Sequence, residues 1–320
     1  LSACVAVLVV ACPCALALSR PLAAAAGLGA AARRGLMIRS ADALLDLVDV
    51  EVVGLDKTGT VTAGELQVVD ADDAVLRVAA GLERFSAHPI ARSILDEAVA
   101  RAIPLPRAEA VRETAGVGVA GQVDGQEWEL RAGGPGEVAL AGPDGEVGRI
   151  RLGDAVRSDS AAAVQEMVDR GLDVVLLTCD HEDVAARIAR EAGVPDVMAE
   201  VDPERMAAWV RDVQSAVRRV LLAGVGLNVG PGQAVADVGV AMGTGAASSV
   251  LVADGVISSW SLKPLVSGFQ AAAACETAIQ WNQRRSIAYN ILAVSAAAAG
   301  FINPLVAAIL MPASSAMVIW

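Results

Sequence analysis

The two ends of this chain carry no acidic or basic side chain: residues 1–19 have none, and neither have residues 286–320. All of the net charge of −12 lies between them. A chain divided in this way has to cover its charge-free ends with lipid or with protein. The first stretch is long enough to cross a bilayer as one helix, which takes roughly 20 apolar residues. The tail is too long for one crossing and is broken at Asn303-Pro304, so two helices of about 17 residues each are expected there. A secretory signal would place basic residues before the apolar run and a small-residue cleavage site after it. Here Arg20, Arg33, Arg34 and Arg39 come afterwards, and Arg284-Arg285 precede the tail. The positive-inside rule then sets the middle on the cytoplasmic side. The expectation is an integral protein of the plasma (inner) membrane, in contact with the lipid bilayer. The acidic middle excludes a nucleic-acid-binding surface. Five cysteines in a largely cytosolic chain do not suggest a disulfide framework. Leu1 and Trp320 both fall inside apolar helical patterns, so the sequence reads as the carboxyl-terminal part of a longer chain.

Within the middle, short apolar runs alternate with helical spacing. Residues 50–56 (VEVVGLD), 172–178 (LDVVLLT), 218–224 (RRVLLAG) and 237–243 (DVGVAMG) read as strands, and residues 159–170, 182–193 and 203–216 as helices. That alternation predicts a parallel sheet covered on both faces. Residues 67–149 break the rhythm with glycines, prolines and hairpin turns at VDGQ and PDG, and read as a second domain inserted after the first strand. The expected division is 1–32 (membrane helix and its cytoplasmic extension), 33–66 and 150–258 (the sheet domain), 67–149 (the insert), and 259–320 (a linker helix and two membrane helices).

Asp56-Lys57-Thr58-Gly59-Thr60 stands at the carboxyl end of the first strand, where open α/β sheets bind ligands. An aspartate there can attack a phosphoryl group and form an acyl phosphate. Two positions on, Thr58 stands where a phosphatase of this type would carry a second aspartate to activate water, so a phosphoenzyme is expected to persist. Cys12-Pro13-Cys14 lies in the first apolar stretch, where proline opens the backbone and two thiolates present soft sulfur, a ligand type that selects Cu(I) over hard cations. A divalent ion such as Zn²⁺ would favour a compensating carboxylate in the membrane, and residues 286–320 contain none.

These segments resemble a P-type ATPase of the heavy-metal-transporting branch (P1B type, copper subgroup), over essentially the whole chain. The resemblance implies a haloacid-dehalogenase-like Rossmannoid phosphorylation domain with an inserted α+β nucleotide-binding domain, plus transmembrane α-helices. It implies ATP as substrate, Asp56 as the phosphorylated nucleophile, and Lys57 and Thr178 as its phosphate contacts. Asp180 would orient its neighbours, although Cys179 replaces the family's glycine between these two. Asp154 and Arg157 match the return from the insert. In the insert, Glu83, Ser86, His88 and Pro89 of LERFSAHP match the nucleotide signature, and Gly116 and Gly118 the glycine-rich loop under the nucleotide. Cys12 and Cys14 would be ion ligands, with Tyr289-Asn290, Met311, Ser314 and Ser315 as the remaining membrane ligands of the copper subgroup. The ion itself and a cytosolic copper chaperone are the further partners implied. Nothing in the chain resembles the family's actuator domain with its Thr-Gly-Glu loop.

One loop departs from the family. Where the family reads Gly-Asp-Gly-x-Asn-Asp, this chain reads Gly224-Val225-Gly226-Leu227-Asn228-Val229, keeping Asn228 and losing both acids. The family's phosphate-neutralising lysine falls on Met206, with Arg205 beside it. Phosphoryl transfer rests on positioning and on charge stabilisation by metal and cations, and losing one such group costs ~10²–10³ in rate. The Mg²⁺ site is therefore expected to be degraded. The expected function is ATP-driven translocation of a heavy-metal cation, Cu(I) first, through an aspartyl phosphate. The alternative is an impaired pseudo-ATPase that binds nucleotide or copper without efficient hydrolysis. A soluble phosphatase of the same superfamily is disfavoured by Thr58 and the apolar ends.

Overall fold

The structure, a computed structural model, describes residues 2–11, 14–86, 88–114, 117–134, 136–226, 228–243 and 247–319, without the side chains of residues 2–3, 14–16, 247–249 and 313–319. The chain forms two compact units, Leu1–Val61 with Ser158–Trp320, and Thr62–Arg157.

The first unit is built on a sheet. Among the described residues it has seven strands: β1 (Leu36–Ile38), β2 (Val50–Asp56), β9 (Asp173–Leu177), β10 (Asp196–Met198), β11 (Arg219–Gly224), β12 (Val238–Met242) and β13 (Gly255–Ile257). Their order is β1-β13-β12-β11-β2-β9-β10, parallel throughout except for the antiparallel edge pair β1–β13. The four strands legible in the sequence are the long apolar ones at the centre, which need no alternation because both faces are covered. The three unforeseen strands, β1 and β10 at the edges and β13 beside β1, have three residues each, too short to show a pattern. Helices α6 (Ser160–Asp169), α7 (Glu182–Ala192) and α8 (Pro203–Ser215) connect the strands, with α9 (Gly230–Gln233) and α10 (Ala247–Val252) later in the chain, and α3 (Ala41–Asp46) precedes β2. Their ends follow local chemistry. Asp202 caps α8 by accepting from the Arg205 amide at 2.8 Å with Pro203 in the first turn, and Gly193 closes α7 at φ +68°.

The second unit is a six-stranded antiparallel sheet among the described residues. Its strands are β3 (Thr62–Ala71), β4 (Ala108–Thr114), β5 (Gly118–Val123), β6 (Gln126–Gly134), β7 (Glu137–Gly142) and β8 (Gly145–Val156), in the order β3-β8-β7-β6-β5-β4. The two hairpin turns fall at Asp124-Gly125 and Pro143-Asp144. Helices α4 (Asp73–Leu82) and α5 (Pro89–Ala100) cover the sheet through Leu76, Ala79, Leu82 and Ile94, which meet Leu130, Leu140 and Ile150. The bounds 67 and 149 drawn from composition fall inside β3 and β8. These strands pair from Thr62↔Val156 to Ala71↔Ile150, and the Asp154 carboxylate ties the start of β3 by accepting from the Thr62 hydroxyl and from the Gly64 amide (2.8 Å).

The charge-free ends correct an expectation: among the described residues no helix is long and apolar enough to cross a membrane. The first stretch is not one helix. It divides into α1 (Ser2–Val10) and α2 (Cys14–Arg33), and α2 already carries Arg20 and Pro21. At 1.5 Å per residue, α1 is only about 13 Å long. In the tail, the first apolar piece is the end of a long helix, α11 (Lys263–Ala298), whose earlier turns are charged, and α12 (Pro304–Ile319) has 16 residues with Pro312 inside it. α1, α11 and α12 nevertheless pack together through Ala6, Val10, Ala293, Ala297 and Ala307. Leu8, Ile291, Leu292, Leu305 and Ile309 remain exposed on them, and Phe301 on the turn between α11 and α12.

Candidate active site

Asp56 ends β2 between the ends of β9 and β11, and its carboxyl is buried. Burial raises its pKa from 3.8 to about 7, against hydrogen bonds to the backbone of Val225 and Lys57 and the nearby charge of Lys57. The chain then turns sharply. Gly59 has φ +73°, and a Cβ there would lie 3.3 Å from Cγ2 of Val225, so glycine serves both the turn and the close approach. Lys57 is buried and its Nζ lies 2.5 Å from Oδ2 of Asp180. Thr58 is exposed.

Thr178 follows β9 and is buried, with its backbone amide donating to the Met198 oxygen at 3.1 Å. Its hydroxyl oxygen accepts from the Asp180 amide at 3.1 Å, a bond that leaves the hydroxyl proton available to donate. Cys179 is exposed, yet its thiol donates to the Val201 oxygen at 3.0 Å, and partial desolvation raises the thiol pKa, helped by the charges of Asp56, Asp180 and Asp202. His181 Nδ1 lies 2.8 Å from Glu200. Asn228 is exposed on the turn before α9. Asp56, Lys57, Thr178 and Asp180 are thus brought to one end of one sheet.

The loop residues behave otherwise. Val229 and Met206 are both fully buried in one apolar cluster with Val52, Leu177, Val210 and Leu222. A Cβ on Gly224 would stand 2.7 Å from Val229 Cγ1 and 2.8 Å from Asp56 Cβ, so the valine and the carboxyl-bearing residue flank the same bare Cα. Arg205 does not replace the missing cation here: its guanidinium donates to the Glu200 oxygen at 3.2 Å. Among the described residues no group of three His, Cys, Asp or Glu could hold a metal. Mg²⁺ requires oxygen ligands in near-octahedral array, and these residues do not fit it.

In the second unit, a cavity of about 670 Å³ is lined by Glu83, Ser86, His88, Glu113, Gly118 and Arg131 among others. Glu83 is buried, its pKa raised by that burial, and its Oε2 has no hydrogen-bond partner among the described residues. His88 caps α5, with Nδ1 accepting from the Ile90 amide at 3.2 Å, which puts the proton of the neutral ring on Nε2. Pro89 occupies the first turn of α5 and does not line this cavity. Gly118 has φ +150°, and a Cβ there would meet the Leu130 oxygen at 2.0 Å, so no other residue fits. Gly116 lies outside the described residues. Glu113 and Arg131 were not anticipated. Counting outward from the Val123↔Gln126 turn pair places Arg131 opposite Gly118, a signal the sequence did contain.

Of the membrane-ligand set, Cys12 lies outside the described residues, as do the side chains of Cys14, Ser314 and Ser315. The Tyr289 hydroxyl donates to the Leu310 oxygen at 3.1 Å, joining α11 to α12 one residue before Met311. Asn290 follows on α11.

Residues 50–230 match the family described as haloacid dehalogenase-like hydrolase. The chain is similar to the probable copper-exporting P-type ATPase V of Mycobacterium tuberculosis, with 34% identity over 100% of this chain and 46% of that protein. It is also 31% identical to the copper-exporting P-type ATPase of Bacillus subtilis, over 98% of this chain and 43% of that protein. The chain thus spans about half the length of the curated relatives it matches. Among solved structures, a zinc-transporting PIB-type ATPase in an E2.Pi state superposes with a TM-score of 0.86 at 30% identity, covering 96% of this chain and 55% of that one.

Proposed function

We propose, on the premise that this chain belongs to the haloacid dehalogenase-like hydrolase family and resembles heavy-metal P-type ATPases along its length, that it supplies the nucleotide-binding and phosphoryl-accepting parts of an ATP-driven metal transporter. The observation that carries this is Asp56 at the carboxyl end of β2, with Lys57, Thr178 and Asp180 gathered around it. In this reading an Asp56 carboxylate oxygen attacks the γ-phosphorus of ATP, the bond to the bridging oxygen breaks, and ADP leaves with that electron pair. Lys57 and Thr178 contact the phosphoryl oxygens, and Asp180 and Asn228 orient the surrounding groups. The cavity with Glu83, His88 and Gly118 takes the nucleotide; Pro89 serves it through the first turn of the helix that His88 caps, and Gly116 by its match to the family's glycine-rich loop. The transported ion is Cu(I), held by Cys12 and Cys14 with Tyr289, Asn290, Met311, Ser314 and Ser315. Soft thiolates and the absence of any acid in residues 286–320 support that choice over Zn²⁺. The charge-free ends contact the lipid of the plasma membrane without a described helix that crosses it, the middle lies in the cytoplasm, and a cytosolic copper chaperone delivers the ion.

Labelled γ-phosphate from ATP tests the reading in the full chain. A Cu(I)-dependent, acid-stable, hydroxylamine-labile adduct that Asp56→Asn abolishes is expected; labelling indifferent to Asp56→Asn overturns Asp56 as acceptor. A second reading is favoured by Val225, Val229 and Met206: a relative that binds nucleotide or copper and hydrolyses little. It expects nucleotide binding with labelling near background.

A further inference from the structure

We propose that the Asp56 centre of this chain takes no divalent cation, because the cation's place has become continuous with the apolar core. The inference rests on the reading of Asp56 as the phosphoryl acceptor and states what that centre has lost. Three observations carry it. First, Val225, whose backbone hydrogen-bonds the Asp56 carboxyl, packs its isopropyl group over Gly59 in the turn that follows Asp56, so the loop presents hydrocarbon there and not a carboxylate. Second, Val229 stands across Gly224 from Asp56 and belongs, with Met206, to one fully buried cluster. An acid at 229 and a base at 206 would be a buried ionic pair; here both are apolar, and neither leaves a charge unpaired. Replacing both members of such a pair by packed hydrocarbon is often neutral or stabilising, whereas replacing one is costly. Third, Asp180, a carboxylate whose charge acts on Asp56, is held by Lys57 at 2.5 Å. The centre is therefore satisfied internally: carboxylate meets ammonium, and hydrocarbon meets hydrocarbon. A hard cation finds hydrocarbon at 225 and 229 where this loop would have to supply carboxylate oxygen, and the carboxylate of Asp180 already engaged by an ammonium.

The chain then binds nucleotide without a protein-held divalent ion beside Asp56. Mn²⁺, a spin-active substitute for Mg²⁺, provides the test in the full chain without nucleotide, read by electron paramagnetic resonance. The expected result is no stoichiometric Mn²⁺ binding that depends on Asp56. Val225→Asp/Val229→Asp/Met206→Lys together should gain at least tenfold in Mn²⁺ affinity, and Asp56→Asn on that background should remove the gain. Should the triple variant fail to fold, Val225→Asp alone, at a half-buried position, should still gain several-fold. One Mn²⁺ per unmodified chain, lost on Asp56→Asn, overturns the inference, as does a folded triple variant that gains nothing. ATP binding measured by calorimetry in the presence of chelator is the separate control: its absence counts against the nucleotide-binding reading and leaves the cation result standing by itself.

Discussion

Asp56 is a carboxyl held near neutrality by its surroundings, and this has a direction in pH. Its pKa in the folded chain is about 7 against 3.8, so the folded state holds a proton that the unfolded state has released across the interval between. Asp56 therefore costs no stability below about pH 4 and progressively more as pH rises to about 7, at ~1.4 kcal/mol per pK unit. Asp56→Asn removes that penalty. The thermal midpoint of the variant, relative to the unmodified chain, should rise between about pH 4 and pH 7 and level off above that; a pH-independent offset would show that the carboxyl is not perturbed. The neighbouring valines separate in a second measurement. Val225 is half-buried and Val229 is fully buried among aliphatic side chains. Val225→Asp should cost about 1 kcal/mol or less in urea unfolding, and Val229→Asp about 3 kcal/mol or more, the cost of an unpaired acid in the core. Equal costs would mean that the cluster relaxes around 229. At this scale the sequence displayed identities but not company. Asp56, Lys57 and Thr178 could be singled out from their motifs. That Val229 and Met206 share one cluster is a contact between residues far apart in the chain, and periodicity carries no such information.

At the scale of elements, one histidine joins local structure to the cavity. His88 uses Nδ1 to cap α5 and so turns Nε2 away from that cap, with Pro89 fixing the first turn. The two roles separate by substitution. His88→Ala should lose the cap, worth about 1 kcal/mol, together with most nucleotide affinity, roughly tenfold. His88→Asn keeps a capping side chain and should lose affinity with little change in the melting temperature. Calorimetry with ATP beside thermal unfolding checks both, and an Asn variant that binds as well as the unmodified chain would limit His88 to the cap. Long central elements were legible because each repeats its pattern several times: β2, β9, β11 and β12 as apolar runs, α6 to α8 by helical spacing. The short strands β1, β10 and β13 have three residues each and repeat nothing. The apolar first stretch misled for a physical reason. Hydropathy measures what a segment avoids, not whether its backbone stays continuous, and here it is split between α1 and α2.

For the whole molecule, the expected property is the choice of ion. Purified under reducing conditions, the full chain should retain Cu(I) in preference to Zn²⁺, and Cys12→Ser/Cys14→Ser should abolish that retention. Stoichiometric Zn²⁺ with no Cu(I) would reverse the assignment. The relatives named for copper and the neighbour named for zinc make this a real alternative. The inserted unit has a further consequence. Thr62 and Val156, near its two limits, are partners in one ladder, so this stretch of the chain departs and returns at nearly the same point. Closing a gap that narrow costs little loop entropy. Replacing residues 62–157 by a short glycine-serine bridge should therefore leave the order and register of the seven-stranded sheet unchanged, like a page lifted out of a bound book.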